Sequence, residues 1–340
     1  MNGRPVVRQR WAIRGTGSYL PDQQVASEEL SLAMGLAAGW IEDRTGIRHR
    51  HVAGSGQAAS DLAAGAARRA LEAAGLTPQD IGLIVLGTST PDELGPSTAC
   101  RVQAVLGAPQ AAAFDVAAAC TGFVYGLQAA VGWLATQRGK PPYVLVIGVE
   151  VYSRFLNTGD RATAALFGDG AAAAVIGPAP PPYGIASMGM GADGTRAGDV
   201  LIPAGGSRTP ASPGTLASLG HTIHMDARAV RSFIVDVLPR LIAEATDDAG
   251  VKPSDLSLVV PHQPNPRLVE SLAEHAGLAP GQMVIAGQDV GNIGAASLPY
   301  ALDRAVRTRG IGEGEVVLLA GFGAGLTWGH TLIVWPPGSI

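Results

Sequence analysis

A strand-and-helix pattern occurs twice in this chain, and that repetition restricts the fold more than any other feature. Asp80-Ile81-Gly82-Leu83-Ile84-Val85-Leu86 is matched by Asp255-Leu256-Ser257-Leu258-Val259-Val260. Short apolar runs bounded by turn residues read as fully buried strands. Each run follows a segment with helical apolar periodicity, roughly Ala58 to Ala74 and roughly Ala227 to Ala249, and these segments stop at Gly75 and Gly250. After each strand come a loop and a helix, Pro96 to Leu106 and Pro266 to Ala276. Another strand and a small-residue turn lead into a second helix, Thr121 to Gln137 and Ala295 to Thr308. Tyr143 to Val149 and Glu315 to Ala320 then close the two units as strands. Equivalent points stay near 175 residues apart, as from Asp80 to Asp255. Alternating strands and helices predict parallel sheets covered on both faces. The pattern therefore predicts two similar α/β halves over about residues 12–178 and 183–337, joined at Pro178-Ala179-Pro180-Pro181-Pro182. Extended to the chain ends, the halves are residues 1–178 and 179–340.

The 340 residues include 47% hydrophobic and 15% charged side chains, which suits a large buried core. A net charge of −4 lacks the electrostatic footprint of a general nucleic-acid binder. The two cysteines, Cys100 and Cys120, form no CxxC or Cys/His cluster, so neither a metal site nor a disulfide framework is expected. Met1 to Arg10 is polar and basic without an apolar signal core, and no stretch reads as about 20 apolar residues of a membrane helix. These features predict a cytoplasmic protein with no membrane partner.

The duplication also points to a site. Cys120 follows Ala117-Ala118-Ala119 where a helix begins, and Asn292 lies in Gly291-Asn292-Ile293-Gly294 at the equivalent turn of the second half. His262, in Pro261-His262-Gln263-Pro264-Asn265, follows the second half's central strand. If the halves pack about a pseudo-twofold axis, these strand-end turns converge, and strand C-termini are where ligand sites form in α/β sheets. A helix N-terminus favours a thiolate, so Cys120 is expected to have a lowered pKa and to act as a nucleophile. The bland alternatives are a small core cysteine, a structural histidine and a left-handed turn asparagine. The convergence of the three weighs against them. Cys100 is expected to pack inward with Ala99, Val102 and Leu106.

The chain resembles the condensing enzymes of the thiolase superfamily, most closely β-ketoacyl-ACP synthase III, over nearly its whole length. The matching segments, besides those around Cys120, His262 and Asn292, are Trp40 to Arg48, Pro96 to Cys100, Asp160-Arg161, Leu166 to Ala171 and Gly321 to Gly329. The resemblance implies a thiolase-like fold of duplicated βα halves in a five-layered α-β-α-β-α arrangement. It implies that Cys120 takes an acyl group from acyl-CoA. His262 and Asn292 would then donate to the thioester oxygen of malonyl-ACP or malonyl-CoA, favouring loss of CO2 and attack on the acyl-Cys120 thioester. Backbone N–H groups of Cys120 and of the Gly323-Ala324 turn would hold the oxyanion. By the same resemblance Trp40 and Arg161 stack on the CoA adenine, Arg44 meets a phosphate and Asn265 meets the pantetheine. Gly95 and Phe322 border the acyl pocket, and Arg267 docks an acyl carrier protein. A homodimer is implied through the strand near Ala111–Asp115, with no permanently bound cofactor and no metal.

Several residues depart from the family pattern. Gly95 stands where short-chain enzymes carry an aromatic, Pro264 and Pro266 flank Asn265, and Glu274-His275 replace basic residues. These favour bulkier starters and a specialised secondary-metabolite or polyketide-starter pathway. The alternative within the family is acyl transfer to an oxygen, a nitrogen or a carrier protein without decarboxylation. His262 lies 142 residues after Cys120, within the spacing of papain-like hydrolases, but their local cysteine signature is missing. A thiolase proper needs a second cysteine after Cys120, and there is none. A binding-only relative would not label at Cys120.

Overall fold

The structure, a computed structural model, describes residues 10–137 and 141–338; Met1 to Gln9 of the basic N-terminal segment lie outside them. The first half runs β1 (Arg10–Tyr19), β2 (Gln23–Ala26), α1 (Ser27–Ala33), α2 (Trp40–Thr45), β3 (His49–Val52), α3 (Ala59–Ala74), β4 (Ile81–Gly87), α4 (Thr98–Leu106), β5 (Ala112–Val116), α5 (Gly122–Thr136), β6 (Tyr143–Val151), α6 (Arg161–Ala164) and β7 (Asp169–Ala179). The second runs β8 (Gly184–Ala192), β9 (Val200–Leu201), α7 (Pro213–Ala217), β10 (His224–Met225), α8 (Ala227–Ala249), β11 (Leu258–Pro261), α9 (Pro266–His275), α10 (Ser297–Thr308), β12 (Val316–Gly323) and β13 (Thr327–Val334).

The long helices start and stop for local reasons. The Asp226 carboxylate accepts from the Arg228 and Ala229 N–H groups and caps α8. Gly75 and Gly250 end α3 and α8 with φ of 64° and 67°, a left-handed conformation that costs glycine little. On α3 the small side chains Ala63, Ala66, Ala67 and Ala70 are all fully buried, so the helix lies close against the sheet.

The first sheet has the order β1-β7-β6-β4-β5, and the second has β8-β13-β12-β11, so the second half repeats the strand order of the first. Its fifth place holds only a parallel bridge, in which Val259 N–H donates to Gln282 at 2.7 Å and Val284 N–H donates to Val259 at 2.9 Å. The sheets are mixed, not wholly parallel as the alternating pattern predicts. β4 pairs in parallel with β5 and β6, and β11 with β12, whereas β1/β7, β6/β7, β12/β13 and β13/β8 are antiparallel. The cause is connection length. A parallel crossover takes about a dozen residues and usually a helix, and only Ala324 to Leu326 separate β12 from β13.

Three clusters of buried side chains define five layers. α3 and α4 cover the outer face of the first sheet, with Leu62, Ala66 and Val102 against Ile84, Leu86 and Ile147. α8 and α9 cover the outer face of the second, with Leu238, Leu241 and Leu272 against Val259 and Leu318. Between the sheets lie α5 and α10, where Phe123, Leu127, Leu298 and Leu302 meet Val85 and Val146 on one side and Val260 and Leu319 on the other. Each fully buried side chain of this size contributes about 1.5–3 kcal/mol, so the shared middle layer ties the halves together.

Cys100 does not pack inward. Thr98, Ala99, Val102 and Leu106 form the buried stripe of α4, and Cys100, one position past Ala99 on the helix, is turned to the exposed face. There it accepts a hydrogen bond from Ser97 Oγ at 3.2 Å and lies 3.9 Å from the Ala113 carbonyl of β5. Among the described residues no helix is long and apolar enough to cross a membrane.

Candidate active site

The two halves bring their turns together by reciprocal close packing. Cys120 lies in a 3-10 turn, Ala119–Thr121, between β5 and α5, and Gly294–Ala296 forms the matching turn before α10. A Cβ at Gly148 of β6 would meet the Ala295 carbonyl at 2.2 Å, and a Cβ at Gly323 of β12 would meet Cys120 Cβ at 2.9 Å and its N at 3.0 Å. Each half's turn thus rests on a glycine of the other half's strand. In this register the counterpart of Cys120 is Ala295. Asn292 lies three residues upstream of that position, so the turns are equivalent but the two side chains are not. Ala119, just before Cys120, has φ of 45°, rare for a residue with a Cβ. Thr121 Oγ1 donates to the Ala118 carbonyl at 2.6 Å and is 2.8 Å from Thr327 Oγ1, which donates to the Ala324 carbonyl at 2.9 Å.

Cys120, His262 and Asn292 all line one cavity of about 700 Å³, together with Arg44, Asn265, Arg267, Phe322, Gly323 and Ala324. Its apolar wall includes Val200, Ile202, Ile223 and Met225, from the excursion between β8 and α8, with Phe233 and Ile234 from α8. Gly323→Ala is expected to slow acylation of Cys120 by about 10–100-fold, the scale of a misplaced reacting group, because the added methyl lands on the nucleophile's own backbone. A time course of adduct mass checks this.

His262 directly follows β11, and its N–H donates to the Ala320 carbonyl of β12 at 2.8 Å. The ring is 2% exposed and sits edge-on to Phe322 with centroids 5.5 Å apart. Nδ1 is buried without a hydrogen-bond partner. Burial pushes the imidazole pKa down to about 3, so the ring is neutral near pH 7. A neutral ring has one N–H; placing it on Nε2 leaves only a lone pair on the enclosed Nδ1.

Asn292 is not a left-handed turn residue; the positive φ angles belong to Gly291 (67°) and Gly294 (52°). Its backbone N–H donates to Leu166 and its carbonyl accepts from Gly168, at 2.8 and 3.0 Å. The side-chain Oδ1 accepts from Gly294 N–H at 2.9 Å and from Ser297 Oγ at 3.5 Å. With the oxygen occupied, the amide presents its NH2 group as the remaining polar face.

The Cys120 thiol is pushed up to about 12, first by burial and then by the Glu150 carboxylate, against the pull of its own N–H and the Tyr152 hydroxyl. This reverses the expectation of a stabilised thiolate. α5 begins only at Gly122, two residues past Cys120, and burial is the larger cause of the raised thiol.

Other expected site residues separate into two groups. Arg44 and Asn265 reach the cavity; Trp40 stacks on Arg44, with the guanidinium carbon 4.4 Å from the ring centre. Trp40 thus has Arg44, from the next turn of the same helix, against its ring. Arg161 is exposed at the start of α6, and Asp160 caps that helix by accepting from Ala162 N–H and Thr163 Oγ1. Asn265 Oδ1 caps α9 through Leu268 N–H at 2.9 Å, and Pro266 occupies the first helical position, where its missing N–H costs nothing. Arg267 is exposed at the cavity mouth, 3.5 Å from Glu270. Phe322 is fully buried beneath His262, while Gly95 is exposed with open space around it and does not line the cavity.

The sequence reading missed Thr88, Ser89 and Tyr152, which line the cavity beside Cys120, and Glu150, which is buried behind them. Glu150 left a signal: it is the one charged residue in the otherwise uncharged run Tyr143 to Val151. Among the described residues no group of three or more His, Cys, Asp or Glu side chains could hold a metal ion.

Comparisons with known proteins give the family. Residues 114–194 match the family described as 3-oxoacyl-[acyl-carrier-protein (ACP)] synthase III, and residues 246–335 match its C-terminal region. A β-ketoacyl-[acyl-carrier-protein] synthase III of Caldanaerobacter subterraneus subsp. tengcongensis is 44% identical, covering 95% of this chain and 97% of the relative. An acetoacetyl-CoA synthase of a Streptomyces species is 42% identical, covering 96% and 99%. The solved structure of the priming β-ketosynthase from the R1128 polyketide biosynthetic pathway has a TM-score of 0.88 at 33% identity, covering 99% of this chain and all of that one.

Proposed function

Because the chain belongs to the β-ketoacyl-[acyl-carrier-protein] synthase III family of acyl-transferring condensing enzymes, with their thiolase-like fold, we propose that it joins an acyl group carried on Cys120 to the carbon of a malonyl thioester. One observation carries the reading: three polar side chains from separate segments, Cys120, His262 and Asn292, line one cavity. In the first half-reaction Cys120 sulfur attacks the acyl-CoA carbonyl, the carbon–sulfur bond to CoA breaks, and the thiol proton ends on the departing CoA sulfur. The Cys120 and Ala324 N–H groups hold the oxyanion. In the second, Nε2–H of His262 and the amide of Asn292 donate to the malonyl thioester oxygen. CO2 leaves, the enolate carbon attacks the acyl-Cys120 carbonyl, and Cys120 departs as a thiolate that takes up a proton.

Arg44, with Trp40 against it, and the Asn265 amide are suited to the CoA phosphate and pantetheine, and Arg161 to its outer end. No resident cofactor takes part. Arg267 at the mouth would meet an acyl carrier protein, but Glu270 and Glu274 on the same helix offset its charge. That balance, with the acetoacetyl-CoA synthase and polyketide-priming relatives, supports a starter role in a specialised pathway. Acyl transfer without decarboxylation is less favoured, because Asn292 keeps its donor face toward the cavity. Incubation with a panel of acyl-CoAs and either malonyl-CoA or malonyl-ACP tests the reading. The expected result is an acyl-Cys120 mass adduct followed by CO2 release and a 3-oxoacyl thioester. An adduct with no CO2 release would favour simple acyl transfer instead.

We also propose that the enzyme is a homodimer paired through β5. This strand is the outer edge of its sheet, with Ala112 exposed and Phe114 40% exposed, and an unpaired edge of that kind invites a second strand. Light scattering is expected to give a dimer for the wild type and a monomer for Phe114→Arg. A wild-type monomer at micromolar concentration contradicts the proposal.

A further inference from the structure

The cavity that holds Cys120 has a charged mouth. Arg44, Arg231 and Arg267 line it, and no aspartate or glutamate does. The three guanidiniums come from three helices. Arg44 is on α2 and Arg267 is in the first turn of α9, and these helices abut: a Cβ on Gly46 would lie 2.8 Å from Pro266 Cβ and 3.6 Å from Arg267 Cγ. Arg231 is near the start of α8, beside Ala227 and Val230, which line the same cavity. All three arginines are exposed whereas His262 and Asn292 are buried, so the cations stand at the solvent end. Arg44 rests on Trp40, Arg267 is 3.5 Å from Glu270, and Arg231 has no ion pair among the described residues. Around the mouth the charge reverses: Glu42 and Asp43 on α2 and Glu270 and Glu274 on α9 are all exposed. A second, polar hollow of about 650 Å³ shares Ile223, Met225 and Ala227 with the cavity, and Asn157, Asp160 and His224 are among its lining residues.

Cations within a mouth and anions around it suit a small polyanion that enters, and disfavour an acidic protein that must rest on the rim. CoA carries a pyrophosphate and a 3′-phosphate on a nucleotide. The arm of an acyl carrier protein carries one phosphodiester and no nucleotide. Guanidiniums bind phosphate through paired N–H donors, and the hollow offers acceptors to ribose hydroxyls and to an adenine amino group. We propose that the extender is malonyl-CoA, so that both half-reactions take their substrate through the same arginine mouth, with Arg231 as the residue that selects the CoA phosphates. This rests on the condensation proposed above and adds the carrier of the malonyl group. Acyl-Cys120 and malonyl-CoA, with one proton, give 3-oxoacyl-CoA, CO2 and the Cys120 thiol. The new carbon–carbon bond replaces the thioester bond to Cys120, and the CoA thioester of the malonyl group stays intact.

The test measures CO2 release from enzyme already acylated at Cys120 and freed of acyl-CoA, with malonyl-CoA, malonyl-4′-phosphopantetheine or malonyl-ACP. Malonyl-4′-phosphopantetheine is the carrier's arm without its protein, so the comparison does not depend on which carrier is chosen. Malonyl-CoA should have a kcat/KM at least about tenfold above both others, the scale of one charge-assisted hydrogen bond. Arg231→Ala should raise KM for malonyl-CoA by about tenfold with kcat near wild type, and so narrow the gap to malonyl-4′-phosphopantetheine. Added salt should raise the same KM, because exposed charge pairs are screened. Glu270→Gln with Glu274→Gln should improve use of malonyl-ACP and leave malonyl-CoA unchanged. Equal kcat/KM for malonyl-CoA and malonyl-4′-phosphopantetheine, a higher value for malonyl-ACP, or an unchanged KM in Arg231→Ala would overturn the proposal and leave condensation standing. No CO2 release with any of the three, from protein that carries its acyl adduct, would refute the condensation itself and this proposal with it.

Discussion

Replacing Cys120 with alanine should abolish acyl-adduct formation and cut turnover by at least about 10⁴-fold, the scale seen when a covalent nucleophile is removed. The exchange deletes one sulfur at the cavity and leaves the turn intact. The left-handed Ala119, the Thr121 bond to Ala118 and the close contact with Gly323 do not involve Sγ. The variant should therefore fold and melt as the wild type does, and loss of activity will report chemistry. Cys100→Ala is the control. Cys100 lies on the exposed face of α4, under β5 and away from the cavity lining. Adducts and turnover should survive its loss. Intact mass spectrometry gives adduct stoichiometry, and peptide mapping gives the site. An adduct that persists in Cys120→Ala would move the nucleophile elsewhere and remove the basis of the reaction scheme.

The readable parts of the fold were those fixed by local pattern. α8 was expected from Ala227 to Ala249 and occupies those residues, because a capping aspartate precedes it and a left-handed glycine ends it. Pairing direction was less readable, since it depends on what a connection can span: three residues between β12 and β13 force a hairpin. Facing was readable only to within one position, and that error misplaced Cys100 beside the true stripe of Ala99, Val102 and Leu106. At the site, the repeat pointed to turns that the structure brings to one cavity, but it could not reveal that Cys120 aligns with Ala295 while Asn292 stands upstream. The electrostatics reversed for a similar reason. The helix start near Cys120 is a sequence feature, whereas the Glu150 carboxylate that opposes it comes from a strand 30 residues away, through the sheet. The Trp40–Arg44 stack, in contrast, lies within one helix, four residues apart, where spacing alone allows contact.

Asn292→Ala should still form the acyl-Cys120 adduct at near wild-type rate but lose malonyl decarboxylation by about 10²–10³-fold, the usual cost of one aimed oxyanion donor. The division follows from how the amide is held. Oδ1 is taken by Gly294 N–H at 2.9 Å and Ser297 Oγ at 3.5 Å, so the group can meet a substrate only as a donor. A donor is needed where negative charge develops on the malonyl thioester oxygen as CO2 leaves. In the proposed reaction, acylation of Cys120 instead places its charge near the Cys120 and Ala324 N–H groups. Alanine also strips Gly294 N–H of its acceptor, which costs stability of about 1–3 kcal/mol, so a thermal melt must accompany the kinetics. Asn292→Asp separates the two effects. It keeps an oxygen for Gly294 N–H but puts an anion where the donor stood, so stability should recover while decarboxylation remains lost. Release of ¹⁴CO2 from labelled malonyl-CoA, measured beside adduct mass, resolves the two half-reactions. If acylation and decarboxylation fall together in both variants, Asn292 is not a donor reserved for the malonyl step, and the oxyanion assignments must be exchanged or shared.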